Sequence, residues 1–195
     1  MRQAARLLAL SCLIALLGCS HDDPTQVPTG LQERMDSSLG GDLPLVKSAT
    51  GPMDLKLASR ATAVPEGLLQ SELRRHGFQG GYSRVWRRGT DVLTVLGYHF
   101  FADSDADSFV QFSDDTLSSS RFYTRAQDPL VPGSRAFSLV SKLGSTTTFC
   151  SAEYFAVDRD AFVITRCASY PVPNQDVATL AQRQLVRAVT ATASP

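Results

Sequence analysis

Two cysteines in the C-terminal part of the sequence, Cys150 and Cys167, carry side chains that can bond covalently to each other. If Asp158 and Arg159 form a two-residue hairpin loop, the flanking strands pair so that the two cysteines lie directly opposite each other. Counted from the closing pair, they occupy a non-hydrogen-bonded position, where Cα atoms approach to ~4.5 Å, as a disulfide requires. The spacing therefore predicts a structural disulfide, with two buried free thiols or a redox or metal site as the alternatives.

A metal site at these cysteines would need further ligands, because structural zinc is bound by four protein side chains. The sequence contains three histidines and no Cys-x-x-Cys motif. His21 precedes the globular part, His76 stands at the end of a predicted helix, and His99 is inside a predicted strand. We therefore expect no metal site and no cofactor.

A third cysteine, Cys19, stands just after an apolar run near the N-terminus, which covers residues 7–17. Arg2 and Arg6 make the segment before the run basic. A membrane-spanning helix needs ~20 apolar residues, so this run is too short to be one. A basic start followed by a short apolar run is typical of a secretory signal peptide.

The residues that end this run, Leu16-Leu17-Gly18-Cys19, resemble the lipobox of bacterial lipoproteins. The resemblance implies cleavage after residue 18 and attachment of acyl chains such as palmitate to Cys19. Stable anchoring needs more than one membrane-binding signal, and a multiply acylated cysteine supplies them without a spanning helix. We then expect the protein on the extracytoplasmic face of the cell membrane. A plain signal peptide and a short uncleaved anchor are the alternatives.

Aromatic and basic residues are interleaved in the segment 82–88. Tyr82, Arg84, Trp86 and Arg88 could together bind a sugar, an anionic glycan or a nucleic acid, because rings and guanidinium groups stack on such ligands and attract their charge. The alternative is a strand with one side in the core and arginines that protect the edge of a sheet.

Recognisable catalytic motifs are missing from the sequence, which has no Gly-x-Ser-x-Gly, phosphate-binding glycine loop or His-Glu-x-x-His. His99 could be combined with several aspartates into a Ser-His-Asp set, but a histidine inside a strand needs no catalytic role. Asp103, Asp105 and Asp107 resemble half of a calcium loop without its central glycine and distal glutamate. Carboxylates also favour the first turn of a helix, so we assign no catalytic residue.

The composition predicts a globular protein, with 43% hydrophobic and 19% charged residues. Of the 19 basic residues, Arg2 and Arg6 belong to the signal segment, which leaves 17 basic against 19 acidic residues in the mature chain. Nucleic-acid binding depends on an excess of positive charge. We therefore expect no nucleic-acid partner.

Periodicity and turn residues predict an α+β fold, in which an antiparallel sheet buries one face under flanking helices in two layers. Gly77 ends the first predicted helix, and Gly89-Thr90 joins the first two strands in a tight turn. The predicted elements are a helix over 65–76, strands over 82–88 and 91–101, a helix over 104–117, a strand over 135–142, two strands around the Asp158-Arg159 loop, and a helix over 175–190.

Three regions are predicted along the chain: a lipoprotein signal peptide over 1–18, a lipid-anchored flexible linker over 19–52 and a single α+β domain over 53–192. The linker is predicted because its proline and glycine residues come without a sustained periodicity. Met53, Leu55 and Leu57 alternate with polar residues, which indicates a short first strand.

The whole pattern resembles small actinobacterial envelope lipoproteins, and its element order over about 70–190 is similar to Mog1/PsbP-like domains. Arginine outnumbers lysine 16 to 3, a bias of GC-rich bacterial genomes. The function we expect is a lipid-anchored extracytoplasmic binding or adaptor module, whose partner is an envelope protein or a glycan. The alternative is an envelope hydrolase with an active site around His99.

Overall fold

The computed structural model describes residues 28, 30–126 and 129–192 of the 195-residue chain. The predicted signal peptide and Cys19 lie outside these residues. In chain order the described residues form the helix α1 (Leu31–Arg34), a short 3-10 helix (Lys47–Ala49), β1 (Gly51–Met53), α2 (Leu55–Arg60), α3 (Glu66–Arg75), β2 (Phe78–Arg88), β3 (Asp91–Phe100), α4 (Asp103–Ser118), β4 (Tyr123–Arg125), β5 (Arg135–Leu143), β6 (Thr146–Val157), β7 (Asp160–Ala168) and α5 (Asn174–Thr192).

The strands of the described part form one seven-stranded sheet in the order β1-β2-β3-β7-β6-β5-β4. Every neighbouring pair is antiparallel. The β2–β3 hairpin lies beside the β6–β7 hairpin, so that β3 and β7 meet near the centre of the sheet. An α+β fold with an antiparallel sheet is therefore confirmed.

Helices cover both faces of this sheet, which makes three layers where one covered face and two layers were expected. The face that we call the α4 face packs against α2, α3 and α4, and its core includes Leu96 and Tyr98. The opposite face, the α5 face, packs against α1 and α5, and its core includes Leu93 and Val95. The physical reason is that β3 is apolar at alternating positions on both sides, as strands buried on both faces are.

Residues 31–46, which we call the N-terminal segment, belong to the folded domain, so the predicted linker over 19–52 is wrong in this part. Leu31, Met35 and Leu39 are at most 3% exposed and pack in the core of the α5 face. The side-chain amide of Gln184 in α5 donates to the Arg34 carbonyl oxygen at 2.8 Å. Apolar residues at every fourth position bury this segment, although its prolines and glycines indicated a linker.

The end of the N-terminal segment also extends the sheet along the outer edge of β2. The backbone N–H of Val46 donates to the carbonyl oxygen of Val85 at 2.7 Å. The backbone N–H of Arg87 donates to the carbonyl oxygen of Pro44 at 2.9 Å. The edge of β2 is therefore paired, which removes a site for edge-to-edge association.

The predicted strand around residues 53–57 is also wrong, because a helix begins there. The side chain of Asp54 accepts a hydrogen bond from the backbone N–H of Leu57 at 2.7 Å, which caps the first turn of α2. Only Gly51–Met53 remains extended, as β1 paired with β2. None of the helices in the described ranges is long and apolar enough to cross a lipid bilayer.

Both predicted hairpins form around their predicted two-residue loops. Arg88 pairs with Asp91 at the end of the first hairpin. In the last hairpin Val157 pairs with Asp160, and Cys150 consequently pairs with Cys167. These two cysteines form a disulfide with their Cα atoms 4.1 Å apart, so the predicted disulfide is confirmed.

Candidate functional site: an apolar cavity

A cavity of about 310 Å³ opens on the α4 face of the sheet. Residues from β2, β3, β7, β6 and β5 form its floor. Residues 48–53 and 61–63 form the wall on the side of β1 and α2. Leu117 at the end of α4 and Tyr123 of β4 contribute on the other side. The cavity thus spans the width of five strands.

The cavity exists because α4 covers only one half of this face. Phe109 of α4 packs against Tyr98 and Phe100 at one end of β3, with ring centroids 4.9 and 5.5 Å apart. The helix ends at Ser118, and Leu117 is its single residue that lines the cavity. The other half of the floor therefore remains without a covering helix.

The surface of the lining is mostly apolar, and its polar groups are neutral hydroxyls. Among the described residues that form it there is no Asp, Glu, Lys, Arg or His. Two of its polar side chains bind neighbouring backbone: the Ser83 hydroxyl donates to the Ala49 carbonyl oxygen at 2.9 Å, and the Thr50 hydroxyl accepts from the Val85 N–H at 3.1 Å. These hydroxyls attach the wall of the cavity to β2.

The disulfide is part of the cavity floor. Cys150 and Cys167 are 6% and 5% exposed and form a small cluster with Leu139, against which Tyr123 packs. Because the bond joins β6 to β7 across the floor, it holds together the two strands on which much of the lining depends.

Tyrosines beside the cavity add no charge at neutral pH. Burial raises the pKa of Tyr154, and the nearby phenol of Tyr123 raises it further. Burial likewise raises the pKa of Tyr98, whose hydroxyl donates to the Ala58 carbonyl oxygen at 3.2 Å. Both phenols therefore stay protonated, and this part of the molecule is electrically neutral.

The four predicted ligand-contact residues of β2 lie together on the α5 face, away from the cavity. Tyr82 and Trp86 are 9% and 4% exposed and pack in the core of that face. The Arg84 guanidinium lies 5.5 Å from the Tyr82 ring centroid, and Arg88 donates to the carbonyl oxygen of Asp42. Protein therefore covers both rings, and contact of these residues with a ligand stays a prediction.

His99 belongs to a cluster of ionisable side chains at the end of the sheet, in which Arg34 and Asp160 are buried and Asp158 is exposed. Its Nδ1 atom lies 2.6 Å from Oδ1 of Asp160, and Oδ2 of Asp160 accepts from Nη1 of Arg34 at 2.5 Å. Arg34 also donates through Nη2 to the carboxylate of Asp158 at 2.9 Å. The cluster joins the N-terminal segment to β3 and β7.

This cluster lacks the arrangement of a nucleophilic hydrolase. Such an enzyme needs a hydroxyl or thiol within hydrogen-bond reach of the imidazole. Within the described ranges, Asp160 is the one side chain that hydrogen-bonds to the His99 ring. The geometry accounts for His99 as a partner of Asp160.

A second buried carboxyl, Glu153, lies on the α5 face of β6 and is 0% exposed. The Ser134 hydroxyl donates to its Oε1 at 2.6 Å, whereas its Oε2 has no hydrogen-bond partner among the described residues. Burial raises the pKa of Glu153, and hydrogen bonds from Ser134 and the Val131 backbone oppose this rise.

The cavity-lining residues were not found from the sequence. Thr94 and Thr165, for example, lie side by side in the floor because β3 pairs with β7. Each stands in a predicted strand, but no local pattern indicates that these two strands are neighbours. The cavity depends on this long-range pairing and on the short reach of α4.

Comparison with known proteins supports the fold. No protein-family model matches the chain, and no curated protein matches it significantly. The chain is similar in structure to the extracellular domain of PknH from Mycobacterium tuberculosis, with a TM-score of 0.57 and 13% sequence identity. The match covers 86% of this chain and 100% of that domain. The likeness is one of fold, and the resemblances to lipoproteins and to Mog1/PsbP-like domains stay expectations.

Proposed function

We propose that this protein is an extracytoplasmic binding module that holds a small, largely apolar ligand in the cavity of the α4 face. The uncharged lining carries the proposal, because a concave apolar site with a few polar groups is the usual form of a small-molecule site. Its volume of about 310 Å³ is at the lower end of such sites. A ligand of this size would fill the floor that α4 leaves uncovered.

Burial of apolar surface supplies the binding energy in this proposal. The floor exposes residues such as Leu139 and Ala152 to the cavity, and removal of apolar surface from water is favourable. The disulfide between β6 and β7 keeps the floor in one arrangement, so that little ordering is needed when the ligand binds.

The proposal also places the domain outside the cytoplasm, anchored by acyl chains on Cys19. Three observations support this location: the lipobox-like residues, the disulfide, and a fold shared with an extracellular domain. From Cys19 to Leu31 the chain can extend at most about 40 Å. An anchored domain would therefore stay near the bilayer, where apolar molecules are concentrated.

Cavity binding is tested by titrating the purified chain without its signal segment with N-phenyl-1-naphthylamine, a neutral apolar dye. Ala152→Phe would fill part of the cavity, because Ala152 lies in its floor opposite Phe137. Val140→Phe is the matched control, since Val140 is 61% exposed on β5 and does not line the cavity. We expect Ala152→Phe to weaken dye binding at least tenfold and Val140→Phe to leave it unchanged. Equal binding by both variants, or no binding by the natural sequence, would contradict the proposal.

Anchoring is tested by mass spectrometry of the protein from its natural host. We expect residue 19 at the N-terminus with acyl chains attached, and the protein in the membrane fraction. A Cys19→Ala variant should lose the acyl chains and leave the membrane fraction. A free thiol at residue 19 in the natural protein would overturn the anchoring part and leave the cavity proposal untouched.

A further inference from the structure

Two threonines stand directly opposite each other in the floor of the cavity. Thr94 of β3 pairs with Thr165 of β7, and both line the cavity. The residues that pair with them on the next strands are apolar: Val85 of β2 pairs with Thr94, and Ala152 of β6 pairs with Thr165. Cβ atoms of directly opposed residues are ~4.5–5.5 Å apart, so the two hydroxyls can reach one common atom.

These hydroxyls have no hydrogen-bond partner within the described part of the chain. Thr94 is 8% exposed, yet neither its hydroxyl nor that of Thr165 hydrogen-bonds to another residue in the described ranges. The fully enclosed unpartnered side-chain atoms of those ranges are Arg84 Nε and Glu153 Oε2. The Thr94 hydroxyl is not among them, so it is open to the cavity. By contrast, the Ser83 hydroxyl in the same lining is bonded to backbone.

A ligand that fills the cavity must either satisfy these hydroxyls or leave them without partners. A buried polar group without a partner is costly, and a hydroxyl can both donate and accept a hydrogen bond. A ligand oxygen placed between the two threonines would satisfy both. A wholly apolar ligand would displace water from both hydroxyls and leave them without a hydrogen-bond partner.

Charge decides which oxygen is suitable. No cationic side chain is among the described residues of the lining, so a carboxylate or phosphate in the floor would be buried without a counter-ion. Burial of an unpaired charge is far more costly than burial of a neutral hydroxyl or carbonyl.

From this pairing of free hydroxyls in an uncharged cavity we infer that the ligand is a neutral amphiphile, whose hydroxyl or carbonyl oxygen binds to Thr94 and Thr165. The inference rests on the proposed function and names the chemical class of the ligand. Fatty alcohols and neutral acyl esters have this chemistry. Fatty-acid anions and phospholipid headgroups do not.

The experiment is displacement of N-phenyl-1-naphthylamine by three ligands of equal chain length: 1-decanol, 1-chlorodecane and decanoate at pH 8. The quantity measured is the ratio of the 1-chlorodecane to the 1-decanol dissociation constant. In the Thr94→Val/Thr165→Val double variant, which keeps the shape of both side chains, we expect this ratio to fall about tenfold. In the natural sequence we expect decanoate to bind at least tenfold more weakly than 1-decanol.

Thr148→Val is the matched control, since Thr148 lies on β6 outside the cavity lining and the substitution should leave the ratio unchanged. Thr94→Ser keeps the hydroxyl, so this variant should keep the ratio of the natural sequence. It can be measured if the valine variants fold poorly. An unchanged ratio in folded valine variants, or decanoate binding as tight as 1-decanol binding, overturns the inference. Failure of the dye to bind the natural sequence at all contradicts the proposed function instead.

Discussion

The covered α5 face and the open half of the α4 face differ in the polar groups that they hold. On the α5 face, Arg34 and Asp160 form a buried ion pair beside His99, and a helix and the N-terminal segment close over it. On the α4 face, the described residues that line the uncovered half carry neutral hydroxyls and no charged side chain. The closed face buries charged side chains such as Arg34 and Asp160, whereas the open half of the other face offers a neutral surface to a ligand.

The contrast is built into single strands. On β3, Thr94 and Leu96 line the cavity on the α4 face. Gly97, the next residue in the chain, lies on the α5 face, as does His99. A Cβ atom at Gly97 would stand 3.1 Å from Leu31 and 3.3 Å from Met35. A residue without a side chain thus lets the N-terminal segment approach the sheet, and this approach closes the α5 face.

The largest expected effect is loss of stability in the ionic cluster. Arg34→Ala would leave Asp160, which is 1% exposed, without its guanidinium partner. Removal of one partner from a buried ion pair costs about 3–5 kcal/mol, and we expect a loss of this size in urea unfolding. Arg187→Ala on the exposed surface of α5 is the control and should change stability by less than about 0.5 kcal/mol. Similar small losses in both variants would show that the α5 face does not depend on this cluster.

The next effect concerns the floor of the open face. Replacement of Cys150 and Cys167 together by alanine removes a disulfide that spans 17 positions, which contributes about 3 kcal/mol. We expect this loss in urea unfolding, together with weaker dye binding. A reducing agent should destabilise the natural sequence and have no effect on the double variant. If both proteins respond equally to the reducing agent, the disulfide does not stabilise the floor.

A smaller loss should follow from crowding on the closed face. A Cβ atom at Gly40 would lie 2.2 Å from the Trp86 ring, so Gly40→Ala forces the N-terminal segment away from β2. Overpacking of this kind costs about 1–3 kcal/mol. Gly67→Ala in α3 is the matched control, because no atom lies within 4 Å of its added Cβ and alanine favours a helix. Thermal unfolding should show a lower Tm for the first variant and an unchanged or higher Tm for the second; the reverse order would refute close packing of Gly40 against Trp86.

The smallest effect is one of pH on the closed face. Burial raises the pKa of Glu153 above its ordinary 4.5, so the folded state holds the proton more tightly than the unfolded state. The stability that this group contributes is complete below pH 4.5 and decreases as the pH rises through the folded-state pKa. Glu153→Gln removes this decrease and leaves an acceptor for the Ser134 hydroxyl. In urea unfolding from pH 4 to pH 8, the free energy of unfolding of the variant should rise relative to that of the natural sequence as the pH rises. A difference between the two that does not change with pH would contradict a raised pKa for Glu153.

Local patterns in the sequence were enough for much of the fold. The helix α3 was predicted from its apolar positions and from Gly77, whose φ of 62° is the left-handed conformation expected after a helix end. The register of the last hairpin follows from its two-residue loop, and the disulfide follows from the register. In each case the conformation depends on residues close together in the chain.

The N-terminal segment shows where local patterns failed. Its prolines and glycines indicated a linker, but Leu31, Met35 and Leu39 recur at every fourth position and are buried. That recurrence was a signal in the sequence, although α1 covers only Leu31–Arg34. The segment is ordered by contacts with α5 and β2, more than 30 positions away in the chain.

The sequence by itself determined the α+β class, the hairpins and the disulfide, because turn residues and side-chain alternation act over a few positions. Only the tertiary structure decided that β3 lies beside β7, that both faces are covered, and that α4 stops short of half the sheet. The physical reason is that alternation assigns a residue to a face of its own strand but not to a neighbouring strand. The cavity and its paired threonines depend on the pairing of β3 with β7. That pairing forms when segments distant in the chain bury their apolar sides together.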